Sequence, residues 1–542
     1  MTDPAHNPES PITSSAQGTP TGTGDSSSVI RVSPESLKTT LSTLEALVRD
    51  PNALAAVPIP EWKELLVLAG QLSRPNRDER RQRTKAMRRF RKKTQLEVDL
   101  KVRGTTKIRE ERGPLLDRDG TQVFPAPRLP GANIEAPEAR VLREPQACYV
   151  CKAPYTVLHF FYDCLCPGCA ELNWAKRSQT ADLRGRVALI TGARIKIGFC
   201  TSLMLLRAGA TVIATTRFPQ DAAQRYAKEP DFEAFKDRLS IYGLDLRHCP
   251  SVELLAEHLQ KTTDRLDFLI NNAAQTVHRP LGFYEHLRAR EEMDPQALPA
   301  AERDLLRRYA DLKELMLAEA GAGRRLAAAK DALTTEPHQT LSRQSMTPLA
   351  LTLGLIPAEL DEEQFPPNRF DADGQQVDLR SVNSWRMKAQ DVDTPELIEV
   401  HLVNAIAPFI LVSRLKSLME RTDNRDKHIV NVSAMEGCFS RRMKTDRHPH
   451  TNMAKASLNM LTRTSAQDYL ESGIHMNSVD TGWVTDEDPH QHQVRKRTDY
   501  DFHPPLDAID GAARVCDPIF VGYQTGEHPS GLFFKDYGVI KW

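Results

Sequence analysis

Apolar residues between positions 183 and 542 follow two alternating rhythms. Short unbroken runs, such as VALI at 187–190 and TVIAT at 211–215, are followed by stretches with apolar positions three and four apart. The unbroken runs suit strands buried on both faces, and the second rhythm suits the helices that cover them. This alternation predicts an α/β fold built on a doubly wound parallel sheet. It is interrupted at 276–392 by a charged helical pattern (PAAERDLLRRYADLKELMLAEAG) and a Pro-, Phe- and Asp-rich segment (PPNRFDADGQQVDL). Upstream, residues 34–112 carry helical spacing in LSTLEALV and WKELLVLAGQL, which predicts two short amphipathic helices. Residues 1–33 are mostly Ser, Thr, Pro and Gly, too poor in large apolar groups to offset ordering entropy, and are expected to be a disordered tail. Residues 113–145, rich in Pro and Arg, read as a linker to a small cysteine-rich unit at 146–178.

Composition adds limits. At 542 residues the chain is expected to hold two or three units. The 72 basic and 72 acidic residues balance, so global charge points to no partner. Its distribution says more: from Arg74 to Lys93 the sequence RPNRDERRQRTKAMRRFRKK carries eleven Lys or Arg against two acids. That run suits either a solvated helix face, the reading we favour, or an electrostatic footprint for nucleic acid. No stretch of about 18 purely apolar residues predicts a membrane span, and the N-terminus does not read as a secretory signal, so a cytoplasmic location is expected. The nine cysteines are expected to lie in a reducing compartment, where paired cysteines more often hold metal than form disulfides.

Within CYVCKAPYTVLHFFYDCLCPGC, Cys148 and Cys151 form one C-x-x-C pair and Cys166 and Cys169 another, with fourteen residues between them. Each pair fits a tight turn aiming two thiolates at one point, so the four predict a structural tetrahedral zinc site in a small ribbon. Cys164 reads as a bystander and His159 as the substitute ligand. A ribbon this small needs its metal to fold.

The segment GRVALITGARIKIGFCTSLMLLRAGATVIATTRF reads as strand, glycine loop, helix and strand, the βαβ unit of a Rossmann-type fold. Its helix N-terminus offers free N–H groups and partial positive charge to a pyrophosphate. At the end of the second strand, Thr216 stands where an acid would bind a ribose 2′-OH, and Arg217 follows. Neither repels a 2′-phosphate and one attracts it, so NADP is expected over NAD.

These residues resemble the short-chain dehydrogenase/reductase family, whose cofactor motif is T-G-x-x-x-G-x-G; here it supplies Gly192, Ile197 and Gly198. The resemblance continues in LDLRH, with Asp245 and Leu246 at the adenine-contacting position, and in INNAA, with Asn272 and Ala273. It includes HLVNAIAPFIL with Asn404, HIVNVSAMEG with Ser433, AKASLNMLTRTSA with Lys455, and MNSVDTGWVTDE with Thr485 at the nicotinamide. The resemblance implies an oxidoreductase in which Ser433 holds a carbonyl or alcohol, Lys455 holds the nicotinamide ribose and Asn404 positions a relay water. It further implies a dimer or tetramer through the helices near Asn404 and Lys455.

Two departures matter. The loop's middle glycine is Lys196, which costs about 1 kcal/mol where φ must be positive; Lys196 or the neighbouring Arg194 is expected to face phosphate. The family's catalytic tyrosine is Thr451, whose aliphatic hydroxyl is far less acidic than a phenol. The Ser433–Lys455 interval is also longer than usual and brings His448 and His450 near, so a histidine relay is one expectation and histidines capping a helix near Thr451 another. Residues 486–505, mixing His, Arg and Lys, are the expected substrate loop and suit a polar or anionic substrate. Two functions stay open: an NADP-dependent oxidoreductase with an altered proton relay, or an inactive NADP(H)-binding scaffold whose zinc ribbon and basic segment bind a macromolecule.

Overall fold

A computed structural model describes residues 33–112, 140–331, 363–371, 374–441 and 444–542. The expected disordered tail up to residue 32 and most of the expected linker, 113–139, lie outside the described residues. The chain divides into two units, Met1–Lys92 and Lys93–Trp542. The boundary falls inside the helix Arg77–Gly104.

The smaller unit contains the helices Pro34–Arg49, Pro51–Ala55 and Ile59–Ser73 and the start of Arg77–Gly104. Ser33 caps the first helix by accepting from Ser36 N–H. Arg83 donates to the last carbonyls of the third, Leu72 at 2.7 Å and Gln71 at 3.1 Å. Arg80, Arg81, Lys85, Arg88, Arg89 and Lys92 recur at helical spacing along one exposed groove.

The larger unit opens with a two-stranded antiparallel ribbon, β1 (Arg140–Ala147) and β2 (Pro154–Leu158), closed by the helix Pro167–Arg177. Eight further strands follow: β3 (Val187–Thr191), β4 (Thr211–Thr216), β5 (Leu239–Gly243), β6 (Phe268–Asn271), β7 (Lys427–Ser433), β8 (Ile474–Asp480), β9 (Phe533–Lys535) and β10 (Gly538–Ile540). They form one sheet in the order β10-β9-β8-β7-β6-β3-β4-β5, parallel except for the β9–β10 hairpin. The α/β doubly wound architecture therefore stands as expected. Apolar clusters lie on both faces, which is why β3 and β4 read as continuous apolar runs. Polar residues inside β6, β7 and β8 are joined in one chain of hydrogen bonds, with Thr462 of the helix Pro449–Glu471 bridging β7 and β8. Asn271 donates to Asn431, Asn431 to Thr462, and Thr462 shares a 2.8 Å bond with Ser478.

The region that breaks the alternation supplies the helix Ala300–Asp331. Its Leu305 and Leu306 pack into one face's core and Leu312 into the other's, so it caps the edge strand β5. A Cβ on Gly243 of β5 would sit 2.3 Å from Tyr309 Oη, so only glycine admits this approach. Covering the edge removes unpaired strand groups that would recruit another chain. One run among the described residues, Thr394–Met419, is long and apolar enough to cross a membrane. Its Ala407, Leu411 and Leu415 are fully buried in the sheet core.

At the other end of the sheet from the glycine loop, His428, His475 and His528 cluster with ring centroids 5.0–5.4 Å apart. His428 Nε2 and His528 Nδ1 share a 2.8 Å hydrogen bond, which requires a neutral ring. Burial lowers the pKa of all three. The unfolded chain therefore takes up protons first: stability is full above the ordinary histidine value near ~6.5 and falls as pH drops below it. Thermal melts from pH 7.5 to 5.5 should show this, with a slope of up to about 1.4 kcal/mol per pH unit for each histidine. An unchanged midpoint across that range would contradict it.

Candidate functional site

The carboxyl ends of β3, β4, β6 and β7 open into a cleft of about 450 Å³. A parallel sheet places loops there, and helix N-termini point into it. Gly192, Arg194, Lys196, Ile197, Gly198, Thr216, Arg217, Asp245, Leu246, Asn272, Ala273, Ser433, Lys455 and Thr485 all line this cleft. Asn404, Thr451 and His450 do not.

The loop after β3 is held tightly. Gly192 has φ +70°. Asn272 Nδ2 donates to the carbonyls of Thr191 at 2.9 Å and Gly192 at 3.2 Å, and Ala273 N–H donates to Thr191 Oγ1. A Cβ on Gly198 would lie 2.3 Å from the Gly192 oxygen and 2.4 Å from Asn272 Nδ2. The cradle is thus one that a side chain would fill, as a pyrophosphate-binding turn requires. Lys196 does adopt positive φ, +54°, at the start of the helix Lys196–Arg207. Beside it, Arg194 is buried and paired with Asp221 at 2.8 Å, and Asp221 also accepts from Arg225.

At the end of β4, Thr216 Oγ1 accepts from Phe218 N–H. Arg217 donates to Tyr284 Oη at 2.7 Å, with its guanidinium 4.7 Å from the Tyr284 ring centroid. A residue of the interrupting region thus holds the cation at the cleft rim. Asp245 pairs with Arg247 through both carboxylate oxygens. Arg247 also reaches Glu399, which accepts from Gln275 at 3.0 Å and lies 2.9 Å from His278 Nδ1. Burial alone would raise the Glu399 pKa; His278, Gln275 and Arg247 together hold it at about 2.

Asn404 joins the same network. Its Oδ1 accepts from Gln275 N–H and its Nδ2 donates to Gln275 O, inside the π-turn Leu402–Ile406. That pairing fastens the loop after β6 to the helix behind it.

Ser433 ends β7 and donates to Asn459 Oδ1 at 2.5 Å. Lys455, one turn earlier on the helix Pro449–Glu471, donates to Val432 O at 2.8 Å. Burial drives its pKa down to about 8, against the pull of Glu436 and Asp480. Gly437 admits the helix here: a Cβ on it would meet the Lys455 carbonyl carbon at 2.6 Å.

The groups around Thr451 turn elsewhere. His448 caps the helix with φ +41° and stacks on Trp385 at 4.1 Å and 6°. His450 Nε2 lies 3.3 Å from Glu396. Thr451 is 1 % exposed, with its hydroxyl facing protein. In the expected substrate loop the helix His490–Tyr500 forms, and Lys496 pairs with Asp486 at 2.6 Å and Asp488 at 2.9 Å. Lys496 is thus matched by acids of its own loop, and Arg495 lies 3.4 Å from Asp499 on the same helix. Asp371 and Gln375 through Asp378, from the interrupting region, also line the cleft.

Cys148, Cys151, Cys166 and Cys169 come together with all four sulfurs within 4.8 Å of one another. Cys151 and Cys166 Sγ are 3.6 Å apart, close to the roughly 3.8 Å edge of a tetrahedral ZnS₄ site with Zn–S of about 2.3 Å. The donor set and spacing fit zinc. His159 is turned away: its Nδ1 accepts from Phe161 N–H at 3.1 Å, and burial lowers its pKa to about 4. Cys164 is set apart as well, its thiol raised to about 12 by burial and Asp163.

Sequence reading missed Arg247, Glu399, Tyr284 and Asn459. Arg247 follows Asp245 by two positions, which is a faint signal; the other three carry none.

A family model described as short chain dehydrogenase matches residues 186–294, and one described as Enoyl-(Acyl carrier protein) reductase matches 381–501. An uncharacterized protein of Acanthamoeba polyphaga mimivirus is 30% identical over 389 residues, covering 69% of this chain and 71% of its own. Dehydrogenase/reductase SDR family member 13 of Homo sapiens is 37% identical over 92 residues, 17% of this chain and 24% of that protein. Among solved structures, the NADPH-bound carbonyl reductase from chicken fatty liver aligns over 66% of this chain and 100% of its own, at 17% identity and a TM-score of 0.38.

Proposed function

The chain belongs to the short-chain dehydrogenase/reductase family, and from that premise we propose that it is an NADP-dependent oxidoreductase interconverting a carbonyl and an alcohol. The observation that carries this reading is a single cleft with the glycine cradle, Ser433 and Lys455 all in its lining. Gly192 and Gly198 leave room for a pyrophosphate at a helix N-terminus. Asp245 serves the adenine end, and Lys455 and Thr485 the nicotinamide end. NADP(H) supplies the hydride when bound.

Ser433 positions the substrate oxygen. The proton comes from Lys455, which alone among Lys455, Thr451, His448 and His450 lines the cleft. In reduction the Lys455 Nζ–H bond breaks as the substrate oxygen gains its proton, and the resulting neutral amine is reprotonated from water. A pKa of about 8 suits an ammonium to that exchange near neutral pH. The four cysteines hold zinc in this reading, a closed structural site with every ligand from the chain.

NADP is favoured over NAD because Thr216 offers no carboxylate and Arg217 stands at the rim. Arg217→Ala should raise the NADPH Kd by roughly 10- to 100-fold, the value of a charged hydrogen bond, and leave the NADH Kd within about twofold. Titration followed by nicotinamide fluorescence reads both. Equal weakening of the two nucleotides would refute the 2′-phosphate assignment, and no binding of either by the wild-type protein would overturn the oxidoreductase reading.

A further inference from the structure

The cysteine ribbon is sewn onto the cofactor cleft at one specific place. Tyr149 lies between the ligands Cys148 and Cys151, in the first turn of the metal site, and its own N–H is fixed by Cys164 O at 2.8 Å. Its hydroxyl oxygen accepts the N–H of Trp483 at 2.9 Å. Trp483 belongs to the segment after β8 in which Thr481, Val484 and Thr485 line the cleft. The segment turns at Gly482, φ +76°, where a Cβ would stand 3.4 Å from the Tyr149 hydroxyl and 2.5 Å from Leu506. The turn therefore packs against Tyr149 and Leu506 at once, and its direction depends on both.

Apolar packing continues the link. Val484 shares one buried cluster with Tyr155, Phe161, Tyr162 and Leu165 of the ribbon, and Ile197 of the glycine loop packs on the same cluster. A Cβ on Gly511 would lie 2.8 Å from Ile197 and 3.2 Å from Val484, so these two meet the next helix closely. Tyr162 Oη donates to the fully buried Asp510 at 2.5 Å, and Arg177 approaches the same carboxylate at 3.1 Å. The ribbon thus touches both the pyrophosphate end and the nicotinamide end of the cleft wall.

Resting on the oxidoreductase reading above, we propose that Tyr149 is a positioning residue through which the metal ribbon sets the dinucleotide cleft, so that zinc and NADP(H) binding are coupled. The four thiolates fix the turn carrying Tyr149; Tyr149 fixes the Trp483 backbone; that backbone aims Val484 and Thr485 at the nicotinamide. Coupling of binding free energies is reciprocal. A loaded metal site tightens dinucleotide binding, and bound dinucleotide slows loss of the metal.

The test uses the full-length zinc-loaded protein and Tyr149→Phe, which keeps all four thiols and the ring but removes the acceptor for Trp483 N–H. Zinc content by mass spectrometry and the far-UV circular dichroism spectrum should match wild type. The NADPH Kd should rise about five- to tenfold, the effect of one hydrogen bond. Zinc transfer to a chromogenic chelator should be slowed by saturating NADPH in wild type, and much less so in Tyr149→Phe. An unchanged NADPH Kd in Tyr149→Phe, with zinc release indifferent to NADPH in wild type, overturns the coupling while leaving the oxidoreductase reading intact. Absence of NADPH binding to wild type overturns both.

Discussion

Lys455→Met should lower turnover by a factor on the order of 10²–10⁴, the usual contribution of a positioned acid or base, measured with a carbonyl substrate found by screening. The loss should fall on kcat more than on the NADPH Kd, because the proton is needed only as the substrate oxygen gains charge. The pH profile is the sharper readout. Burial holds the folded pKa of Lys455 at about 8, below the ordinary lysine value. The ammonium is present below that pH and lost above it, so carbonyl reduction should decline as pH rises through about 8. Alcohol oxidation needs the neutral amine and should rise over the same interval. Lys455→Arg keeps the charge but cannot release a proton at these pH values, so it should be nearly as inactive as Lys455→Met and show no break near 8. A Lys455→Met enzyme with wild-type turnover, or a break that persists unchanged in Lys455→Arg, would remove Lys455 from the proton path.

The role proposed for Lys455 needs no phenol beside it. Among the described residues Lys455 forms no salt bridge, and its one direct hydrogen-bond partner is the Val432 carbonyl. A carboxylate in contact would have raised its pKa and kept the proton bound. The other candidates lie away from the cleft lining: His448 stacks on Trp385, His450 Nε2 is 3.3 Å from Glu396, and Thr451 is buried.

Gly198→Ala should raise the Kd for NADPH by roughly 100-fold, since overpacking at a rigid contact costs up to about 3 kcal/mol. The added methyl meets the Gly192 carbonyl oxygen and the Asn272 amide, neither of which is the free end of a flexible side chain. Asn272 is already committed to two carbonyls, so its displacement would also loosen the turn after β3. Calorimetric titration gives the affinity, and zinc content should be unaffected. An alanine variant that binds NADPH as wild type does would show that the dinucleotide does not use this cradle.

How much of this was legible beforehand follows the range of each interaction. The expected strand at 187–190 and helix through Leu206 form as Val187–Thr191 and Lys196–Arg207. Their periodicity and glycine spacing are properties of adjacent residues. The four thiols meet because both C-x-x-C pairs lie on one short ribbon. Lys196 takes the positive φ that its place in the loop demanded, because the glycine loop dictates the backbone whatever the side chain.

The destinations of the side chains around Thr451 were not legible. Spacing put Thr451 one helical turn from Lys455, on the same helix face, so periodicity could not say that only Lys455 would line the cleft. The helix begins at a left-handed cap, His448, whose ring stacks on Trp385, 63 positions earlier in the chain. The interrupting region was equally opaque. Its charged helix pattern was visible, but nothing local said that it would cap the edge of β5 or that Tyr284 would hold Arg217.

By itself, then, the amino-acid order determined the elements, the doubly wound sheet, the phosphate turn and the thiol cluster, because each depends on periodicity or on ligands close together in the chain. The tertiary structure alone decided which of the candidates Lys455, Thr451, His448 and His450 lines the cleft and which cations are already paired. It also decided that the ribbon's Tyr149 would meet Trp483 across 334 positions and Arg247 would meet Glu399 across 152. Such contacts carry no local signature: they exist only once burial of the apolar faces has brought distant backbone together, leaving polar groups to find partners among whatever neighbours the packing supplies.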